Sequence, residues 1–314
     1  MDKKEFRREF NNIGGILVAQ MSIFYLISII LMALFLVVHL LTESVNGEYN
    51  IDTILNSITS NGLIYIIPVI IAFIPVLLFR KEKFFNYDLK VVNKKINFMT
   101  VICSICIIIA LNFLTSYLYT FLEWLLNLVG LTAEAGLEAI GPSNTITMLL
   151  YSCIVAPFFE EFLFRGAVLR YLEKYGKRFA IIASSILFGL MHGNLVQALV
   201  AIIVGLFLGY LACEYSIKLS IIAHMANNVF AEIYNNVSTV VNESTMTIIY
   251  LIIMIVTIIV TIAVCIGKRK SIKEWFVNSK SVKGSMTYFC TSLTILLIIC
   301  FDLFMCILSI SRIV

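Results

Sequence analysis

Charge is what this sequence has least of. Asp, Glu, Lys and Arg make up 13% of its 314 residues, against about a quarter in a soluble domain. Proline is scarce as well, with four residues, so no Pro-rich linker divides the chain. No internal repeat is evident, which argues against the inverted-repeat transporters. Two common marks of hydrolases are missing. No Ser or Cys sits in a GxSxG elbow, and no HExxH zinc motif occurs. What remains is apolar. Hydrophobic residues account for 61% of the chain and mean hydropathy is +0.98. A soluble globular fold is thereby excluded, and no nucleic-acid partner is expected. The length is better counted in bilayer-spanning helices of about 20 residues.

Apolar runs predict an all-α, polytopic bundle with membrane helices near 13–42, 61–79, 97–122, 144–168, 179–193, 196–213, 219–235, 246–267 and 286–311. The count is eight or nine, with the lipid bilayer as the first partner. The first run is too long for a signal-peptide core and is read as a retained helix. The eight cysteines all lie within or beside apolar runs and read as small buried hydrophobes. Cys103 and Cys106 form a CxxC, but without the βαβ context of a redox motif.

A second scarcity sets the topology. The segments 43–60, 123–143 and 236–245 contain no Lys or Arg, and they carry Glu43, Glu48, Asp52, Glu123, Glu134, Glu138 and Glu243. Apart from Arg312, every Lys and Arg falls before the first helix or in and beside the alternate connections, including the basic run 268–285. The positive-inside rule then predicts a cytoplasmic N-terminus, in a membrane expected to be the bacterial cytoplasmic membrane. The run 268–285 is expected to lie at the interface as a basic loop or amphipathic turn.

Ionisable groups inside a membrane are costly, so each asks for a reason. The densest cluster is PFFEEFLFR, Pro157 to Arg165. Glu160 and Glu161 are adjacent and point about 100° apart on a helix, so they have different roles. Glu161 and Arg165 are spaced i, i+4 and can pair, leaving Glu160 free to face the bundle. Pro157 is expected to kink the helix just before them. Of three histidines, His39 has no polar companions. His192 ends FGLMH with Phe188 one turn earlier, and His224 opens HMANN with Asn228 one turn later. Taken singly, the acids could be solvated helix-end residues and each His a packing hydrogen bonder. Together they suit peptide hydrolysis. Glu and His can share the activation of a water, and His224 with Asn228 could donate to the oxyanion of a tetrahedral intermediate. The same Glu160, His192 and His224 could instead hold a zinc ion with one open position. The reading preferred is that no cofactor is required, with zinc as the alternative. Asp302, in the last apolar run, is expected to be a helix-packing hydrogen bonder or to touch a polar cavity.

EEFLFR (160–165), FGLMH (188–192) and HMANN (224–228), in this order, match the patterns EExxxR, FxxxH and HxxxN. The stretch resembles the CPBP family, the CAAX proteases and bacteriocin-processing enzymes, also called the Abi family. GLFLGY (205–210) is similar too, with Gly205 and Gly209 forming a small-xxx-small helix contact. The resemblance covers roughly 143–232 and divides the chain into N-terminal membrane helices (1–142), core helices (143–235) and C-terminal membrane helices (236–314). It implies an intramembrane endopeptidase acting on a hydrophobic peptide or a membrane-bound protein. Glu160 and His192 would activate the water, His224 and Asn228 would bind the oxyanion, and Glu161, Arg165 and Phe188 would support the site. Prenylated substrates belong to eukaryotic members and are not assigned. A non-catalytic scaffold or bacteriocin-immunity protein is the alternative reading.

Overall fold

The structure, a computed structural model, describes residues 3–43, 51–134, 136, 143 and 145–313. Glu48 and Glu138, two acids assigned to Lys/Arg-free loops, lie outside the described residues. Among the described residues thirteen helices run α1 (Lys3–Glu43), α2 (Ile51–Thr59), α3 (Leu63–Ala72), α4 (Ile74–Arg80), α5 (Phe98–Asn127), α6 (Ile146–Tyr175), α7 (Lys177–Leu190), α8 (Leu195–Glu214), α9 (Ile217–Val240), α10 (Glu243–Gly267), α11 (Arg269–Asn278), α12 (Ser285–Cys290) and α13 (Leu293–Leu308). Two short antiparallel strands, β1 (Leu131–Thr132) and β2 (Ser311–Arg312), tie the chain beyond α13 to the segment after α5. The chain is an all-α, multi-pass membrane protein.

Local sequence explains the helix starts. Asn97, Thr145, Asn194 and Asn242 each take up a free backbone N–H of the first turn with the side chain, the ordinary N-cap bond. Pro75 marks the break between α3 and α4. Between α6 and α7 the chain reverses at Gly176, with φ +107°. A Cβ there would lie 2.4 Å from the Lys280 carbonyl oxygen, so both conformation and space call for glycine.

Six described segments are long and apolar enough to cross a bilayer: Lys3–Thr42, Leu63–Arg80, Phe98–Asn127, Ile146–Tyr175, Leu195–Glu214 and Glu243–Gly267. The other three runs that the sequence counts as spans are helical, yet each falls short for its own reason. Helix α7 has only 14 residues. Helix α9 has 24 but interrupts its apolar face with His224, Asn227, Asn228, Glu232, Asn235 and Asn236. The last run breaks after Cys290 into α12 and a 16-residue α13.

The two ends of the bundle differ in charge. At one end Lys174 reaches Glu9 at 2.5 Å, Lys94 and Lys177 reach Glu214 at 2.7 and 3.3 Å, Arg80 pairs with Asp88 at 2.5 Å, and Arg178 donates to the Phe276 carbonyl. The first part of the basic run 268–285 folds here as α11, with Trp275 packed on Tyr210 and donating to Glu214. At the other end Thr145 donates to the Ser60 carbonyl, Asn194 to the Gly136 carbonyl, and the Leu195 N–H to Ser309. Arg312, the one Arg outside the basic pattern, is paired with Leu131 in the strand ladder here.

Packing is densest where α6, α7 and α8 meet. Glycines let the backbones of α7 and α8 approach: Gly189 faces Ile202, Gly205 faces Phe188, and Gly209 faces Ile181. An aromatic cluster of Phe6, Phe10, Tyr175, Phe179 and Phe289 binds α1 and α12 to the α6–α7 turn. Helix α10 instead exposes Ile248, Ile252, Ile255, Ile259, Ile262 and Ile266, as a lipid-facing helix does.

Candidate active site

Helix α6 is not a regular α-helix. Its turns at Tyr151–Val155 and Phe162–Val168 are widened to π-helical geometry, and they flank a regular stretch, Ala156–Glu161. Pro157 lacks the N–H that would bond back to residue 153 and crowds that carbonyl, which accounts for the irregular turn before it. The helix also runs on to Tyr175, seven residues past the end drawn from hydropathy. Glu160 therefore lies about 24 Å from the Gly176 reversal, at 1.5 Å per residue. His192 lies about as far from that reversal on the returning strand of the hairpin, α7. The hydropathy map sets these two residues at different depths; the longer α6 brings them level. Arg165, near the end of the run 144–168, sits inside α6 and is fully buried.

The two carboxylates separate as their 100° offset requires. Glu161 is fully buried and Glu160 remains partly exposed, at 17% of its side chain. Glu161 is the centre of the buried network. It lies 3.1 Å from Arg165 Nη1, accepts from Ser220 Oγ at 2.5 Å, and meets His224 Nδ1 at 3.0 Å. Arg165 donates its other terminal nitrogen to the Gly205 carbonyl at 3.1 Å and stacks its guanidinium on the Phe188 ring, 4.3 Å from the centroid. A Cβ on Gly205 would stand 3.0 Å from both groups, so the glycine is where the backbone of α8 admits the arginine.

Both histidines are held by Nδ1. In His224 it faces Glu161. In His192, which lies in the turn after α7, it lies 2.9 Å from the Phe188 carbonyl oxygen. A carbonyl oxygen only accepts, so Nδ1 of His192 carries the hydrogen and Nε2 is left with its lone pair. His224 Nε2 points at Glu160 Oε2 across 3.7 Å, too far for a direct hydrogen bond and suited to a bridging water. The Phe188 ring stands edge-on between the imidazoles, 5.1 Å from His192 and 5.6 Å from His224. Asn228 donates to the Ser152 carbonyl at 2.9 Å, which uses one of its two amide hydrogens.

The structure thus brings Glu160, Glu161, Arg165, Phe188 and His224 into one connected group, with His192 against Phe188 and Asn228 one turn beyond His224. No hydrogen bond or ion pair joins His192 to Glu160 among the described residues. Among the described residues no group of three or more His, Cys, Asp and Glu side chains is arranged ready to hold a metal ion.

Sequence reasoning missed Ser220. It sits one turn before His224, so the i, i+4 spacing was there to be read. It also missed Gly205 as the acceptor for Arg165, for which no sequence signal exists, because the acceptor is a backbone carbonyl. Asp302 lies apart from this group. It is buried and lines a small cavity with Gln20, Met21, Phe164, Leu187 and Met191. Its Oδ2 and Gln20 Oε1 have no hydrogen-bond partner.

No curated protein and no solved structure matches the chain. Residues 142–230, which contain all three motifs and every member of the buried network, match a family model described as Type II CAAX prenyl endopeptidase Rce1-like; the match covers less than a third of the chain.

Proposed function

We propose that the protein is an intramembrane endopeptidase that hydrolyses a peptide bond in a hydrophobic peptide or a membrane-bound protein. The observation that carries this reading is the continuous chain Arg165–Glu161–His224–Glu160, at 3.1, 3.0 and 3.7 Å. One carboxylate, buried and paired, orients an imidazole, and that imidazole faces a second carboxylate that is still accessible. Two acids with opposite surroundings on consecutive residues suit different tasks.

In the mechanism, a water lies between Glu160 and the free nitrogens of the histidines. Glu160 takes a proton from it, with His192 Nε2 as the second acceptor, and the hydroxyl oxygen attacks the peptide carbonyl carbon. The carbonyl π electrons move to oxygen, and the resulting oxyanion is met by His224 Nε2–H and the second amide hydrogen of Asn228. For His224 to donate there it carries hydrogens on both nitrogens, and the positive charge this adds is faced by the carboxylates of Glu160 and Glu161. The tetrahedral intermediate collapses as the C–N bond breaks, and Glu160 returns the proton to the leaving amine. Glu161, Arg165 and Ser220 act through His224, as positioning residues. No metal takes part.

The test compares the membrane proteome of cells carrying the wild type with that of cells carrying Glu160→Gln. Gln is nearly the same shape but accepts no proton, so cleavage products vanish while expression and helix content are unchanged. Undiminished products from Glu160→Gln would overturn the mechanism and leave the scaffold or immunity reading in its place.

A further inference from the structure

Helix α9 carries more polar residues than its site requires. His224, Asn228, Glu232 and Asn236 recur every fourth residue, so they form one stripe along a single helix face. Over twelve residues it runs about 18 Å, from the candidate site to the end of the bundle that holds the Lys/Arg-free loops. Another face of the same helix is apolar and open outward: Ile222, Val229, Ile233 and Val240 are all exposed. A facing wall of hydroxyls and backbone groups follows the stripe. Ser152 accepts from Asn228 through its carbonyl at 2.9 Å. Ser143 gives its N–H and Oγ to the two Glu232 oxygens at 2.7 and 3.1 Å. The Ser143 and Ser152 hydroxyls lie 3.3 Å apart, and Asn236 donates back to Glu232 at 3.0 Å. Among the described residues Glu232 has no cationic partner. Asn228, Glu232, Ser143, Ser152 and Cys153 are each only partly buried. None of these groups is used by the proposed reaction beyond Asn228.

We propose that this stripe is a hydrated groove that gives water and an extended peptide access to Glu160, and that it opens at the Lys/Arg-free, extracytoplasmic end. An unpaired carboxylate facing hydrocarbon is strongly disfavoured, whereas one lining water is not. A peptide segment must leave its helix before it can be cut, and its freed N–H and C=O groups then need partners that lipid cannot supply. The carboxamides of Asn228 and Asn236, the Glu232 carboxylate and the serine hydroxyls supply them at one-turn intervals. Resting on the endopeptidase reading, this narrows the substrate to a chain whose scissile bond lies on the outer side of the membrane, such as the outer flank of a membrane-anchored peptide.

The experiment reads access and needs no catalysis. Single cysteines at 229, 232, 233 and 236 are placed in a protein whose native cysteines are replaced by alanine, and a fifth version keeps native Cys153 alone. A membrane-impermeant maleimide is added to intact cells and, separately, to inverted membrane vesicles. Cysteines at 232, 236 and 153 take label from outside, and those at 229 and 233, facing lipid, do not. Cys153 needs no change in the stripe, so the result does not depend on tolerance of Glu232→Cys. Equal protection of 232, 153 and the lipid-facing pair would overturn the groove. Label at 232 and 153 only in inverted vesicles would overturn the outer opening. The pattern is the same in a Glu160→Gln background, so a failed groove and a failed protease are told apart.

Discussion

Removing the charge of Glu161 while keeping its shape, as Glu161→Gln, strips Arg165 of its counterion in a place where both side chains are fully buried. Arg165 retains the Gly205 carbonyl and the Phe188 face, but neither carries a formal negative charge. Breaking a buried pair from one side costs about 3–5 kcal/mol, chiefly because the surviving charge is uncompensated. A whole domain is stable by only ~5–15 kcal/mol, so the variant loses a large share of its reserve. Ser220 and His224 lose an ionised acceptor at the same time. The double variant Glu161→Gln with Arg165→Met removes the orphaned charge, and replacing both members of such a pair by groups of similar volume is near neutral. It therefore recovers most of the stability but not the activity, since His224 is still held by a neutral amide. A charge swap, Glu161→Arg with Arg165→Glu, recovers little, because Arg at 161 would face Ser220 and His224 while Glu at 165 would face the Gly205 carbonyl. Thermal unfolding of the detergent-solubilised protein, followed by tryptophan fluorescence and size exclusion, ranks the four proteins. If Glu161→Gln unfolds with the wild type, or if the double variant is as weak as the single one, the pair is not what holds this core.

Other outcomes follow from single contacts. Asn228→Ala lowers the cleavage rate on the order of 10²–10³, the usual cost of one oxyanion donor, and leaves the unfolding temperature close to that of the wild type. Phenanthroline added to membranes leaves cleavage unchanged, whereas inactivation restored by added zinc would overturn the metal-free mechanism. Gly205→Ala sets a methyl group 3.0 Å from Arg165 and Phe188 and costs about 1–3 kcal/mol as overpacking, read as a lower unfolding temperature. Asp302→Asn is tolerated, because the cavity beside Gln20 offers no cation for the carboxylate to pair with. Asp302→Arg prevents accumulation of folded protein, as a membrane-fraction immunoblot would register.

The fold was legible where the signal is periodic and long. Six of the nine apolar runs are helices of spanning length, because a bilayer leaves the backbone no other way to satisfy itself. Hydropathy failed where polarity has a structural use. Helix α6 was ended at 168 since Arg170, Glu173 and Lys174 look like loop residues. Arg170 is in fact buried, donating to the Ala212 carbonyl and to Glu173, and the helix continues through it. That error of seven residues alone made Glu160 and His192 look as if they lay at different depths. The break between α12 and α13 has no proline to announce it.

The site divides in the same way. Pairs on one helix were readable from spacing: Glu161 with Arg165, Phe188 with His192, His224 with Asn228. What spacing cannot give is which face of one helix meets which face of another. Glu160 and Glu161 differ by 100° about their own axis, and the sequence assigned the paired role to Glu161 only because Arg165 is four residues away. That Glu161 also takes up His224 depends on α9 crossing α6 with residue 224 at the level of 161, and on Ser220 filling the remaining oxygen. The same crossing explains why α9 is too polar to count as a membrane span. Its first polar turn closes the buried network, and the polar turns after it lead away from Glu160 towards the end of the bundle that lacks Lys and Arg. A helix that faced only lipid and packed neighbours would have no use for the later ones, so the low hydropathy of α9 is itself a statement about where water reaches the site.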